Sequence, residues 1–67
     1  MTIGQRLLQL RQQKNITQEK LALNTGYKIG TISLIENEHH TPRYTLLLSM
    51  AQFYGITLAE LMEGVDE

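Results

Sequence analysis

Apolar residues recur at helical spacing along most of this chain, and polar residues, glycines and a single proline separate the recurrences. Ile3, Leu7 and Leu10, for example, lie three or four positions apart and would share one face of a helix. No segment alternates between apolar and polar residues over a useful length, so the pattern predicts an all-α fold. The predicted helices cover residues 2–13, 18–24, 28–36, 44–54 and 58–63.

Residues that favour helix ends stand at these boundaries. Thr17 is a good N-cap for the second helix, and Thr57 with Glu60 fits the capping box T-x-x-E before the fifth. Gly26 and Gly55 can adopt the left-handed conformation without a Cβ penalty, so we expect them just after the second and fourth helices.

The stretch 18–36 has the residue types that two helices crossing at a tight turn require. Ala22 leaves room for a close crossing, Gly26 permits the turn, and Ile32 and Ile35 would share the inward face of the second helix. This pattern predicts a helix-turn-helix, a motif whose second helix enters a DNA major groove. The helix predicted over 28–36, the second of the motif, is rich in poor helix formers, so we expect packing to hold it.

Size and composition restrict the remaining possibilities. The 67 residues allow one core, and we predict a domain over 1–64 followed by a frayed acidic end at 65–67. The absence of cysteine excludes disulfides and thiolate metal sites. The apolar runs are too short to span a membrane, and the N-terminal segment does not resemble a signal peptide. We expect a cytoplasmic protein without a cofactor or metal, and no small-molecule substrate or membrane partner is evident.

The formal net charge of −1 hides an uneven distribution. Residues 1–54 carry six basic and three acidic side chains, a balance of +3, whereas residues 55–67 carry four acidic side chains and no basic one. The acidity is therefore a property of the C-terminal end. A balance of +3 is modest for a DNA-binding protein, so non-specific binding should be weak and sensitive to salt.

Several spaced motifs agree over most of the chain. They are T-Q-E-x-L-A with Gly26, T-I-S-x-I-E-N, T-P followed by L-x-x-x-A, and G-I-T-L-x-E-L. From Ile3 to Leu61 the chain resembles, without gaps, the Cro/CI-type helix-turn-helix domain, also called the XRE family. The resemblance implies a compact five-helix, lambda-repressor-like fold with helices 2 and 3 as the helix-turn-helix. It also implies a homodimer on a roughly palindromic operator in double-stranded DNA, and transcriptional control without catalysis.

The resemblance also assigns roles to individual residues. Gln18 matches a position that often contacts a backbone phosphate, and Arg43 matches one that reaches the minor groove in phage repressors. Arg11 and Glu36 match a structural ion pair. The predicted DNA contacts are Thr17, Gln18, Lys28, Ile29, Gly30, Thr31, Ser33, Leu34, Asn37, His39 and Arg43, with residues 28–36 as the recognition helix.

The chain departs from the family pattern at Ile29, Gly30 and Leu34, where the family usually has polar or basic residues. Helical phase predicts that Ile29 and Leu34 are exposed, and one hypothesis is that such a surface meets thymine methyl groups. The apolar surface and low positive charge also leave open a second class of function. In that alternative the chain is a protein-interaction module, such as an antitoxin-type partner, that keeps the fold and binds DNA weakly.

Apolar residues at positions where the family often has polar ones suggest possible contact surfaces. Leu8, Leu23, Leu46 and Phe53 are such residues, and the simplest interpretation is that they are scattered over the surface. A homodimer interface is the alternative, for which Phe53, Leu58 and Met62 are the candidates. His39 and His40 are too few ligands for a metal site, and no catalytic constellation is recognisable, so we do not expect an enzyme.

Overall fold

A computed structural model describes residues 1–66, and this described part contains five α-helices and no β-strand. The helices are α1 (Ile3–Gln13), α2 (Gln18–Thr25), α3 (Ile29–Glu36), α4 (Tyr44–Tyr54) and α5 (Leu58–Leu61). They form a body of 27 × 26 × 22 Å in which α3 packs against α1 and α2. Over residues 1–66, no helix has the length and apolar character needed to cross a membrane. The predicted all-α, five-helix fold is confirmed.

Threonine side chains cap three of the helices, and the expected Thr17 and Thr57 are two of these caps. Thr2, Thr17 and Thr57 each accept a hydrogen bond of 3.1 Å from the backbone N–H three residues later, which satisfies a donor that the first helical turn leaves free. Gly26 and Gly55 have φ angles of 80° and 70° and end α2 and α4 in the left-handed conformation. Local sequence therefore determines where α1, α2 and α5 begin and where α2 and α4 end.

Four predicted helix boundaries differ from the structure. α1 begins at Ile3 instead of residue 2, and α2 ends at Thr25 instead of residue 24. The other two are the end of α5 and the start of α3. The fifth helix, predicted over 58–63, ends at Leu61, since the N–H of Glu63 donates to the carbonyl oxygen of Glu60, three residues back, and the helical pattern stops there. The third helix begins at Ile29, and Lys28 precedes it as an extended N-cap that makes no side-chain capping bond. A lysine has no acceptor to offer the free N–H groups of the first turn, so the chain becomes helical only after it.

All five helices contribute side chains to one hydrophobic core. The buried apolar residues are Leu7, Leu10, Leu21, Ile32, Ile35, Leu46, Met50, Ala51 and Leu61. The expectation that Leu46 lies at the surface is wrong, since only 3% of it is exposed. Leu46 lies one helical turn before Met50, so both side chains fall on the inward face of α4.

α1 holds both α3 and α5 in place. A Cβ atom at Gly4 would overlap the carbonyl oxygen of Ile35, so the close crossing of α1 and α3 requires a glycine at this position. On the side of α1 that faces α5, Arg6 donates from Nε to the carbonyl oxygen of Leu61 at 2.9 Å and from a terminal nitrogen to that of Glu60 at 2.8 Å. These bonds add donors to the last carbonyl groups of α5, of which that of Glu60 also accepts from the N–H of Glu63 at 3.2 Å.

The last described residues contact the first. The Met1 ammonium group donates to the carbonyl oxygen of Gly64 and to the carboxylate of Asp66, both at 3.0 Å. The hydrogen bond from this ammonium group lowers the pKa of the Asp66 carboxyl group. The expected fraying of residues 65–67 stays a prediction, and Glu67 lies outside the described residues. The assignment of residues 1–64 to a domain stays a prediction.

Tyr54 ends α4 with its hydroxyl group in the interior. The oxygen is buried and has no hydrogen-bond partner among residues 1–66. Burial raises the pKa of Tyr54 to about 12, because the tyrosinate anion would lose its hydration. The neutral phenol is therefore favoured in the folded state. The part of the free energy of unfolding that comes from this pKa difference is fully present below the ordinary pKa of 10.0. It is lost as the pH rises through about 12.

Gly4→Ala should lower the free energy of unfolding by about 1–3 kcal/mol, because the added methyl group overpacks the crossing of α1 and α3. Gly30→Ala is the matched control, since Gly30 is also helical but a Cβ there meets nothing within 4 Å. That variant should be more stable by up to about 1 kcal/mol through helix propensity. Urea unfolding measures both changes. A Gly4→Ala protein as stable as Gly30→Ala would contradict the close crossing.

Tyr54→Phe should raise the free energy of unfolding by about 1 kcal/mol at neutral pH, because it removes a buried hydroxyl group without a protein partner. Urea unfolding of this variant and the wild type between pH 8 and pH 12 should reveal a difference that widens above pH 10. Tyr44→Phe, at a side chain that is 62% exposed, is the control and should follow the wild type. Parallel curves for all three proteins would refute the interior location of the Tyr54 hydroxyl group.

Candidate nucleic-acid interface

α2 and α3 are joined by the turn 26–28. The N–H of Gly26 donates to the carbonyl oxygen of Ala22 at 2.9 Å and closes α2, after which α3 begins at residue 29. Leu21 of α2 and Ile32 of α3 are both fully buried, and the two helices pack directly against each other. This arrangement is the helix-turn-helix that the spacing of small and apolar residues predicts.

The buried carboxylate of Glu36 connects α1, α2 and α3. Arg11 of α1 donates to it twice, from Nε at 2.7 Å and from a terminal nitrogen at 2.9 Å, so the expected ion pair is present. Arg11 also donates to the carbonyl oxygen of Ile16, between α1 and α2, at 2.8 Å. Gln18, the first residue of α2, donates from Nε2 to the same carboxylate at 2.9 Å. The hydrogen bond to Glu36 raises the pKa of the Arg11 guanidinium group.

The opposite face of α3 is open to solvent. Ile29 is 45% exposed and Leu34 is 40% exposed, as their helical phase predicts, and Gly30 is exposed as well. Asn37 is hydrogen-bonded to Ser33. Its amide nitrogen donates to the Ser33 carbonyl oxygen at 2.9 Å and to the Ser33 hydroxyl group at 3.3 Å. α3 therefore presents mainly apolar groups, with Lys28 as an exposed cation before its first turn.

The connection 37–43 runs beside α3 and leads into α4. Its second residue, Glu38, lies in the left-handed region at a φ of 64°, and the N–H of His39 donates to the Leu34 carbonyl oxygen at 2.8 Å. Arg43 is the exposed N-cap residue of α4 and makes no side-chain capping bond. A groove of about 260 Å³ separates this connection from α3 and is lined on its two sides by Thr31 and Arg43, among others.

The predicted contact residues fall into three neighbouring segments. Lys28 and the exposed residues of α3 form one, and Asn37, His39 and Arg43 lie in the connection that follows. Thr17 and Gln18 stand at the start of α2, which the bond between Gln18 and Glu36 brings to the end of α3. The groove is also lined by Tyr27, His40 and Thr41, which the sequence pattern does not predict, because they come together only where the connection passes α3.

Comparison with known proteins identifies the family. Residues 4–67 match a family model described as a helix-turn-helix domain. The protein y4dJ of Sinorhizobium fredii, named an uncharacterized HTH-type transcriptional regulator, is 29% identical over 65 residues. DdrOP3 of Deinococcus deserti is 32% identical over 66 residues, and PuuR of Escherichia coli is 33% identical over 64. Both are named HTH-type transcriptional regulators.

The three relatives differ in length. The matches cover 97%, 98% and 96% of this chain, but 84% of y4dJ, 51% of DdrOP3 and 35% of PuuR. The chain thus spans most of the first relative, about half of the second and about a third of the third. Because the family match covers nearly the whole chain and α2 and α3 have the matching arrangement, this chain belongs to the helix-turn-helix domain family.

Proposed function

We propose that this chain binds a specific sequence in double-stranded DNA with α3 in the major groove, and represses transcription by occupying a promoter. The observation that carries the proposal is the two-sided character of α3. Ile32, Ile35 and Glu36 are buried and fix the helix to the rest of the domain, while the opposite face stays exposed. A rigidly held helix with a free face can enter a groove about 12 Å wide. We expect the protein to act in the cytoplasm.

Contacts with the sugar–phosphate backbone of the DNA would come from the segments on either side of α3. Gln18 uses one N–H of its amide for Glu36, and a primary amide has a second N–H that can donate to a phosphate oxygen. Thr17, Asn37 and His39 are exposed polar residues at the edges of the same surface. Arg43 is the cation beside the groove next to α3, where a guanidinium group can contact phosphates or enter the minor groove.

A homodimer on a roughly palindromic operator is part of the proposal. Recognition helices of such dimers lie about 34 Å apart, one turn of the duplex. The longest dimension of this chain is 27 Å, so two copies side by side suit that spacing. Phe53, Leu58 and Met62 are the proposed interface, since they pack on the core but each keeps part of its surface exposed.

Arg43→Ala should weaken binding to specific and random duplexes alike, because a phosphate contact carries no sequence information. The slope of log K against log salt should become shallower by about 0.9 per chain, because each chain would neutralise one phosphate fewer. Arg43→Lys is the matched control, since it keeps the charge and should keep the slope. Fluorescence anisotropy at several salt concentrations gives all of these values. An unchanged slope for Arg43→Ala would remove this residue from the interface.

Selection of bound sequences from a random DNA pool should yield a site with two related halves about ten base pairs apart, centre to centre. Replacing one half with random sequence should reduce affinity at least about tenfold, because one subunit of each dimer would face bases that it does not recognise. Replacing the same number of flanking base pairs is the control and should leave affinity unchanged. A single half-site bound as tightly by one chain would contradict the dimer.

The second candidate is a protein-interaction module, such as an antitoxin-type partner. The supporting observation is the set of exposed leucine and isoleucine side chains, with Leu23 at 84%, Ile29 at 45% and Leu34 at 40%. A salt titration on random duplex DNA separates the two candidates. The absence of measurable binding even at low salt would favour the protein-interaction module over the regulator.

A further inference from the structure

The exposed face of α3 is apolar at its centre. Successive residues of a helix are turned by about 100°, which puts Gly30 and Leu34 opposite the buried Ile32 and Ile35. Ile29 lies at the flank of this face and is 45% exposed. Because Gly30 has no side chain, and a Cβ there would meet nothing within 4 Å, Leu34 and Ile29 are the bulkiest groups offered to a partner.

Two polar side chains near α3 already make hydrogen bonds within the protein. They are Asn37, which follows α3 on the same side as Gly30, and Gln18 at the start of α2. The Asn37 amide nitrogen donates to both the carbonyl and the hydroxyl oxygen of Ser33. The Gln18 amide nitrogen donates to Glu36, on the far side of α3 from Leu34. Among residues 29–36 no arginine, lysine, asparagine or glutamine is present. The side chains that make bidentate hydrogen bonds to guanine or adenine are therefore missing from the helix itself.

Only one group on the major-groove edges of the bases is apolar, the C5-methyl group of thymine. We propose that Ile29 and Leu34 determine specificity by contacting thymine methyl groups, so that the protein selects half-sites by the positions of methyl groups more than by hydrogen bonds. This inference rests on the proposed function, since it describes how α3 would read the duplex. Both side chains are exposed in the free chain, so contact with a methyl group would remove apolar surface from water on both partners.

The test uses the sequence selected from a random pool, prepared in three versions. Uracil in place of thymine removes the methyl group and keeps every hydrogen-bonding group. Cytosine–guanine in place of thymine–adenine removes the methyl group and changes the hydrogen bonds. 5-Methylcytosine–guanine changes the hydrogen bonds but restores the methyl group. Comparing the three separates the methyl group from the hydrogen-bonding pattern.

Uracil should weaken binding about fourfold for each contacted methyl group, the factor expected for one buried carbon. 5-Methylcytosine should bind more tightly than cytosine at the same position by a similar factor. Leu34→Ala should abolish the uracil effect at one position of each half-site and retain it at the position of Ile29. Leu23→Ala is the matched control, because Leu23 is 84% exposed on α2 and should leave the uracil effect intact.

The outcomes are distinguishable. Selective binding with equal affinity for the thymine and uracil duplexes would overturn this inference and leave the proposed function standing. A uracil effect that persists unchanged in Leu34→Ala, with circular dichroism confirming that the variant is folded, would overturn the role of Leu34. Undetectable binding to every duplex at low salt would overturn the proposed function and this inference with it.

Discussion

The carboxylate of Glu36 is the interaction on which the arrangement of the helix-turn-helix depends. Only 4% of this side chain is exposed, and a buried charge is costly unless it is paired and hydrogen-bonded. The two bonds from Arg11 and the bond from Gln18 meet that requirement from two different helices. The end of α3 is thereby tied to α1 and to the start of α2. Any displacement of one of these helices would leave a charge or an amide without its partner.

Packing in the core also stabilises α3, a helix whose own residues favour the helical conformation only weakly. α3 contains Gly30, Thr31 and two isoleucines within its first four residues, and its N-cap residue makes no side-chain bond. The buried Ile32 and Ile35 and the close contact with Gly4 of α1 supply the stability that local sequence does not. Since the inward face alone holds the helix, the outward face is free to carry residues chosen for binding.

The boundaries of the helices were largely predictable because they obey local rules. Threonine N-caps and left-handed glycines act within one turn of the chain, and α4 begins and ends where the apolar pattern predicts. α5 ends two residues before its predicted end, because its last turn tightens and the N–H of Glu63 donates to the carbonyl oxygen of Glu60. Leu46 differs from the family pattern, which often has a polar residue there, but it lies one helical turn before Met50 and is buried with it.

In the candidate site, too, some features follow from the local sequence and others from tertiary contacts. The sequence by itself determined an all-α chain with a helix-turn-helix, and the helical phase that exposes Ile29 and Leu34, because turn chemistry and a 3.6-residue period depend only on neighbouring residues. The tertiary structure alone decided that Gln18 bonds Glu36, that Thr31 and Arg43 face one groove, and that the Tyr54 hydroxyl group is buried. Such contacts join residues far apart in the chain, and their existence depends on how the helices cross.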